Sequence, residues 1–275
     1  MLDIIIPVYR GLAVTQRCVE SVLSTVGEDA AVIVINDLSP EPELTAYLQQ
    51  LAACRPQAIT LLEHYHNWGF VATANQGMRL HPERDVILLN SDTEVSGNWY
   101  QRLQACAYRQ ANIATVTPFS NNATICSYPR FCEDNPLPDN TTLAQLDAAC
   151  QQANAQQWLA IPTAVGFCMY IKRACIEQIG TFDEARFGHG YGEENEFCLR
   201  AQAQGWIHAL SADTFVYHQG SVSFADSKAV HQPLGAKALL ALYPHYDQWI
   251  AQFIQADPIA PYRQRIQQTL KPLSS

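Results

Sequence analysis

An α/β fold, a mostly parallel doubly wound sheet with an α-helical C-terminal extension, is what three features of the chain predict. Short apolar segments alternate with amphipathic ones over the first 117 residues, the pattern of strand–helix–strand units. The apolar segments, Val86-Ile87-Leu88-Leu89 among them, are continuous and partly β-branched, as strands buried on both faces are. Polar clusters follow several of these segments directly, and in open α/β sheets ligands bind outside the carboxyl ends of the strands. At 275 residues and 48% hydrophobic, the chain can build one large domain with a substantial core.

The first strand is expected over residues 2–8 and is broken at Gly11. Cys18/Val22 and Val19/Leu23, at four-residue spacing, mark the first helix. A second strand is expected over 31–35, a helix through Leu44, Tyr47, Leu48 and Leu51, and a third strand over 59–62. Val71, Ala74 and Met78 share one face of the next helix, which precedes the strand at 86–89. Trp99, Leu103 and Cys106 mark a further helix, and 113–117 a fifth strand. The texture then changes: residues 118–142 hold four prolines, four asparagines and no periodicity, and a loop of this length is usually functional or mobile. A helix is expected over 143–159, a strand over 164–171 with Gly166 inside it, and a short helix ending at Gly180. Beyond it, the sequence predicts a helix over 193–204, strands over 207–210 and 214–217, and mostly helix from Ala229 onward. The chain divides accordingly into a domain over 1–225, with halves 1–117 and 118–225, and a helical extension over 226–275.

Composition removes several function classes. The net charge of −9, with no basic cluster, argues against nucleic acid as a partner. No apolar run approaches the roughly 20 residues that span a bilayer. The amino terminus enters a strand without the basic start or length of a signal peptide. Nine scattered cysteines form no CxxC pair and read as reduced thiols, so a cytoplasmic location is expected, with the inner face of the plasma membrane as the alternative. The apolar tail around 239–254 leaves peripheral membrane contact, a homodimer interface and a place in a larger synthase assembly open.

Four polar clusters fall at strand ends: Pro7–Arg10, Asn36–Ser39, Asn90–Glu94 and His218. Asp37 could accept hydrogen bonds from a base or ribose, or form an Asx-turn or cap. Asp92 could ligate Mg2+ or Mn2+ bridging a diphosphate, and His218 could add a nitrogen ligand, which suits Mn2+ better; the alternative is a hydrogen-bonded structural histidine. His64, His66, His189 and His208 read as structural. In Gly188-His189-Gly190-Tyr191-Gly192-Glu193-Glu194-Asn195-Glu196, glycines lead into a helix opened by carboxylates. These carboxylates either complement the helix dipole, with Glu196/Arg200 as an i,i+4 pair, or include a general base. Glu193 and Glu194 point about 100° apart and cannot share one role.

Taken together, IIIPVYRG, IVINDLSP, NWGFVATANQG, LLNSDTEVSGNW, VGFCMYIKR, IGTFDEARFGHGYGEENEFCLRAQAQG and VYHQGS resemble the family 2 glycosyltransferases, inverting nucleotide-sugar enzymes of GT-A fold, across residues 2–225. The branch resembled is the bacterial rhamnosyltransferase-like one, which acts on cell-surface polysaccharides. The resemblance implies that Pro7, Tyr9 and Asp37 hold the nucleoside, and that Asn67, Gly69 and Asn75 lie near the base and diphosphate. The family's D-x-D matches Asn90-Ser91-Asp92, placing Asn90 and Ser91 with the nucleotide and metal binding on Asp92; Asp92-Thr93-Glu94 is also acid-x-acid, so Glu94 is a second candidate ligand. The family's E-D-x-D falls on Glu193–Glu196 and places the base at Glu194, one methylene longer than the usual Asp. His218 matches the late His that contacts metal or diphosphate. Gly166, Tyr191 and Glu193 fall on the acceptor side.

The resemblance therefore implies an Mn2+- or Mg2+-dependent transferase that moves a sugar from a nucleoside-diphosphate donor to a hydroxyl of a glycan or lipid-linked glycan. Two rivals are a non-catalytic sugar-nucleotide or glycan-binding module and a nucleotidyltransferase, although Pro7–Gly11 is not the latter's Gly-rich basic loop. A dehydrogenase is poorly supported, since no G-x-G-x-x-G follows the first strand.

Overall fold

The structure, a computed structural model, describes the backbone of residues 1–188, 190–220 and 225–270, and their side chains except at 225–230. Its first half consists of β1 (Leu2–Val8), α1 (Leu12–Thr25), β2 (Ala30–Asn36), α2 (Pro42–Cys54), β3 (Ile59–Glu63), α3 (Phe70–Leu80), β4 (Asp85–Leu89), a two-residue β5 (Thr93–Glu94), α4 (Trp99–Ala107) and β6 (Ile113–Phe119). There follow α5 (Leu143–Ala153), β7 (Trp158–Ile161), β8 (Cys168–Ile171), α6 (Arg173–Ile179), α7 (Glu184–Phe187), α8 (Glu193–Gln202), β9 (Ile207–Phe215) and β10 (Tyr217–His218). The chain closes with α9 (Ala225–Leu242), α10 (Tyr246–Ala256) and α11 (Ala260–Leu270).

The main sheet has the order β3-β2-β1-β4-β8-β6-β9-β7. β3, β2, β1 and β4 are mutually parallel, as are β6 and β9, while β8 and β7 run antiparallel to their neighbours. Alternate residues of each central strand feed opposite cores. Ile4, Ile6 and Val8 of β1 pack with Val19 and Val22 of α1 on one face; Ile5 packs with Val71, Ala74 and Met78 of α3 on the other. Burying both faces is why these strands read as unbroken apolar runs, and each fully buried aliphatic side chain contributes roughly 1.5–3 kcal/mol. α3 approaches β1 closely at Gly77, where a Cβ would lie 2.5 Å from the Ile5 side chain.

Three predicted elements differ. The helix expected over 143–159 stops at Ala153, and Trp158–Ile161 forms the edge strand β7 on β9. Asn154 ends it by donating to the carbonyls of Ala212 and Tyr262. The strand expected over 164–171 is confined to Cys168–Ile171, so Gly166 lies in the turn before it. The two strands expected over 207–217 are one continuous β9 followed by β10. Ser211 and Asp213 read as a polar break, yet both are buried: Ser211 donates to Asp213, Asp213 accepts from the Gln156 N–H, and Arg102 bonds both the Asp213 carbonyl and Asp147.

Residues 118–142 are ordered by their asparagines. The Asn135 amide donates to the carbonyls of Asn121, Arg130 and Glu133, and Asn121 grips the backbone of His218 on both its N–H and C=O. No helix among the described residues is long and apolar enough to cross a membrane.

Candidate active site

The strand ends meet at a cleft of about 670 Å3, lined by Phe70, Asn90, Phe167, Tyr191, Glu193, Glu194 and His218 among others. One wall is made by the antiparallel ribbon of β5 and β10, which pairs Thr93 with His218 and lets the Gln219 N–H bond the Asp92 carbonyl. This brings the Asp92 carboxylate to 3.4 Å from His218 Nε2, although 126 positions separate them in sequence (218 minus 92). His218 Nδ1 donates to the Asn122 carbonyl at 2.7 Å, and the ring stacks on Phe167 at 5.2 Å. Burial acts to lower the His218 pKa, but the hydrogen bond and charge of Asp92, with the Asn122 carbonyl, outweigh it and raise it above the usual value.

Glu94 is turned to Arg17, with a 2.8 Å ion pair, and the same guanidinium reaches Gln219. Asn90 lines the cleft; Ser91 beside it is buried. Pro7 and Tyr9 lie at the carboxyl end of β1, the Arg10 guanidinium 5.3 Å from the Tyr9 ring.

Asp37 is buried, and protein donors engage both its oxygens. Oδ1 accepts from Trp68 N–H and His64 Nδ1, each at 2.7 Å; Oδ2 accepts from Gly69 N–H at 2.8 Å and the Asn67 amide at 3.1 Å. It is therefore the pin of the 64–69 turn, while the neighbouring Asn36 forms the Asx-type bond to Ser39 N–H. Gly69 adopts φ +81° there, and a Cβ on it would meet the Gly188 carbonyl at 2.9 Å. Asn75 is also turned from the cleft: fully buried, its amide exchanges two 3.0 Å hydrogen bonds with the Phe182 backbone. Asn75 thereby ties α3 to the segment leading into the glycine turn.

That turn is strained by design of its sequence. Gly190, Tyr191 and Gly192 have φ of +86°, +67° and +107°, a region that costs glycine little and tyrosine of order 1 kcal/mol or more. It delivers Glu193 and Glu194 onto the first turn of α8. Each keeps one carboxylate oxygen buried with no hydrogen-bond partner among the described residues, and burial raises both pKa values, Glu193 further because Glu194 lies beside it. Glu194 also accepts from the Asn195 amide at 3.3 Å and faces Gly166, where a Cβ would sit 3.7 Å from its side chain. Glu196 takes no part in the cleft; Arg200 clamps it with two 2.9 Å bonds.

Residues 3–180 match the family described as Glycosyl transferase family 2. The chain belongs to this family. No curated relative matches it at a significant level. Among solved structures, GalNAc-T7 with UDP, GalNAc and Mn2+ superposes with a TM-score of 0.66 at 15% identity, covering 98% of this chain and 55% of that one. The mannosyltransferase PcManGT from Pyrobaculum calidifontis with GDP-Man and Mn2+ gives 0.56 at 14% identity, covering 98% and 83%. S. aureus TarS 1–349 gives 0.55 at 12%, covering 97% and 90%. At these identities the likeness shows the GT-A fold, and this chain spans about half the length of the first.

Several residues of this family 2 member that shape the site gave little sequence signal. Asn121 and Asn122, which orient His218, lie in the asparagine-rich loop, the one available hint. His64 supports Asp37, and His208 is structural as expected, buried between Thr115 and Cys198 with its pKa lowered to about 4. His189 lies outside the described residues.

Gly235 had no signal at all. A Cβ there would lie 1.7 Å from the Tyr191 carbonyl oxygen, so α9 rests backbone to backbone on the glycine turn. Gly235→Ala must displace α9 or the turn, and misplacing a reacting group by about 1 Å can cost on the order of 100-fold in rate. We expect a loss of turnover of that order with nucleotide binding retained, checked by initial rates beside calorimetric titration of the same sample.

Proposed function

We propose that the chain is a metal-dependent, inverting glycosyltransferase of the rhamnosyltransferase-like branch, moving a hexosyl or deoxyhexosyl group from a nucleoside-diphosphate sugar to a glycan or glycolipid hydroxyl in bacterial cell-surface polysaccharide synthesis. The observation that carries this reading is the position of Glu194. It lines the cleft containing Asn90 and His218, and also a second groove on its other side, so a donor in one and an acceptor in the other would meet at its carboxylate. In this reading residues 1–117 bind the nucleotide, 118–225 carry the catalytic and acceptor side, and the helices from 226 complete it.

The donor set at Asp92 and His218 fits Mn2+ or Mg2+. His218 Nδ1 donates to the Asn122 carbonyl, which fixes the ring and leaves Nε2 facing the carboxylate, as a ligating histidine requires. Asp92 and His218 would supply two ligands, and the donor's phosphates would share the coordination. The bound ion would act as a Lewis acid toward the charge developing on the departing diphosphate.

The chain's own residues do the rest. The Asp37-pinned turn presents Trp68 and Phe70 beside the nucleotide. Glu194 accepts the proton of the acceptor hydroxyl as that oxygen attacks C1 opposite the leaving group, and a single displacement inverts the centre. The test is incubation with UDP-, dTDP- and GDP-sugars, Mn2+ and a glycan acceptor. Release of nucleoside diphosphate supports transfer, pyrophosphate would mean a nucleotidyltransferase, and binding without turnover would mean a non-catalytic module.

A further inference from the structure

The groove on the far side of Glu194 measures about 1180 Å3 and shares Val165, Tyr191 and Glu194 with the cleft. At Glu194 it is polar: the Asn195 amide donates to that carboxylate, and the Tyr246 hydroxyl donates to Asn195 Oδ1 at 2.9 Å. The remaining walls are largely apolar, formed by Ile125 of the 118–142 loop, Leu239 and Leu240 of α9, and Ile250 and Ile254 of α10. α10 carries Trp249, Ile250, Phe253 and Ile254, yet none of its residues is fully buried, and Ile254 is 38% exposed. A helix this rich in apolar side chains ordinarily buries a stripe of them.

The groove thus suits an amphiphile: hydroxyl-binding groups at the carboxylate and a mainly apolar wall along α9 and α10, with Gln232 and Asp247 as its polar members there. Glu194 itself lines the groove, so its carboxylate is the polar end that a hydroxyl would meet. A purely polar acceptor would leave the apolar walls of α9 and α10 facing water.

We propose that the acceptor is amphiphilic, a sugar hydroxyl carried on an alkyl or lipid aglycone, with the hydroxyl at Glu194 and the hydrocarbon against Leu240, Ile250 and Ile254. This rests on the reading of Glu194 as the base between donor and acceptor.

The test uses methyl, hexyl and octyl β-glucoside, each below its micelle concentration, titrated against the full chain by calorimetry. Burial of alkyl chain strengthens binding by about fourfold per methylene, so octyl should exceed hexyl by about fifteenfold. Leu240→Glu and Ile250→Glu should each flatten this dependence, while Leu242→Glu, exposed and outside the groove, should keep it. Equal affinities for the three glucosides, a dependence unchanged in both groove variants, or a concentration-dependent dimer that blocks the alkyl chain would each overturn the proposal. Nucleotide titration of the same samples shows that each variant is folded. It also separates the two readings: an intact alkyl dependence without nucleotide binding would sink the transferase reading, and the reverse would sink the amphiphilic acceptor alone.

Discussion

Glu194→Gln should lower sugar transfer by about 100- to 10,000-fold, the range a positioned general base supplies, while leaving nucleotide affinity within a few-fold. Gln keeps the size and the Asn195 contact but cannot take the proton. The raised pKa sets the pH dependence. Only the ionised carboxylate serves as base, so transfer should fall as pH drops through a value above the usual 4.5, and this acid limb should vanish from the residual activity of the variant. Stability moves the other way. A carboxylate whose folded pKa is raised favours the folded state below its unfolded pKa and loses that contribution as pH rises through the folded one. As pH rises wild type therefore takes on the cost of ionising Glu194 in a buried site, which Gln never bears, so between pH 5 and pH 8 Glu194→Gln should lose less stability than wild type. Initial rates against pH and thermal midpoints at the two pH values check both halves. A variant that retains most of its transfer would place the base elsewhere, Glu193 first.

Asp37→Ala should destabilise the fold by about 3 kcal/mol or more and abolish nucleotide binding, because it strands buried donors that now share one carboxylate. The indole and imidazole rings of Trp68 and His64 stack at 4.1 Å over this pin, so the turn from His64 to Gly69 would lose its anchor as a unit. Urea unfolding gives the stability change, and titration of the folded fraction gives the binding. A variant of near wild-type stability would show that the turn is held by other contacts.

The alternation of the first 117 residues was legible because every central strand is buried on both faces and every helix on one, which leaves distinct periods in the sequence. Asn90-Ser91-Asp92 was legible for the same reason: it follows the apolar run of β4 directly. Asp92 and His218 were legible as two ligands of one site, but the ribbon that joins them was not, since β5 and β10 are two residues each and too short for any period. Asp37 was legible as an acid at a strand end, but its four bonds from the 64–69 turn were not, because nothing in the sequence tells that this turn folds back onto it. Ser211 and Asp213 read as a break, because a buried polar network looks like a loop until Arg102 and Asp147 are seen to satisfy it. A lone glycine in a helix, Gly235, carries no mark of what it touches.

The most direct measurement of the central claim is calorimetric titration with UDP, dTDP and GDP, each with and without Mn2+, on wild type and Asp92→Ala. The expected result is metal-dependent binding of one nucleotide by wild type and its loss in the variant, since Asp92 supplies the carboxylate that His218 faces. Binding that ignores Mn2+, or that survives Asp92→Ala unchanged, would contradict a metal–diphosphate site at this pair.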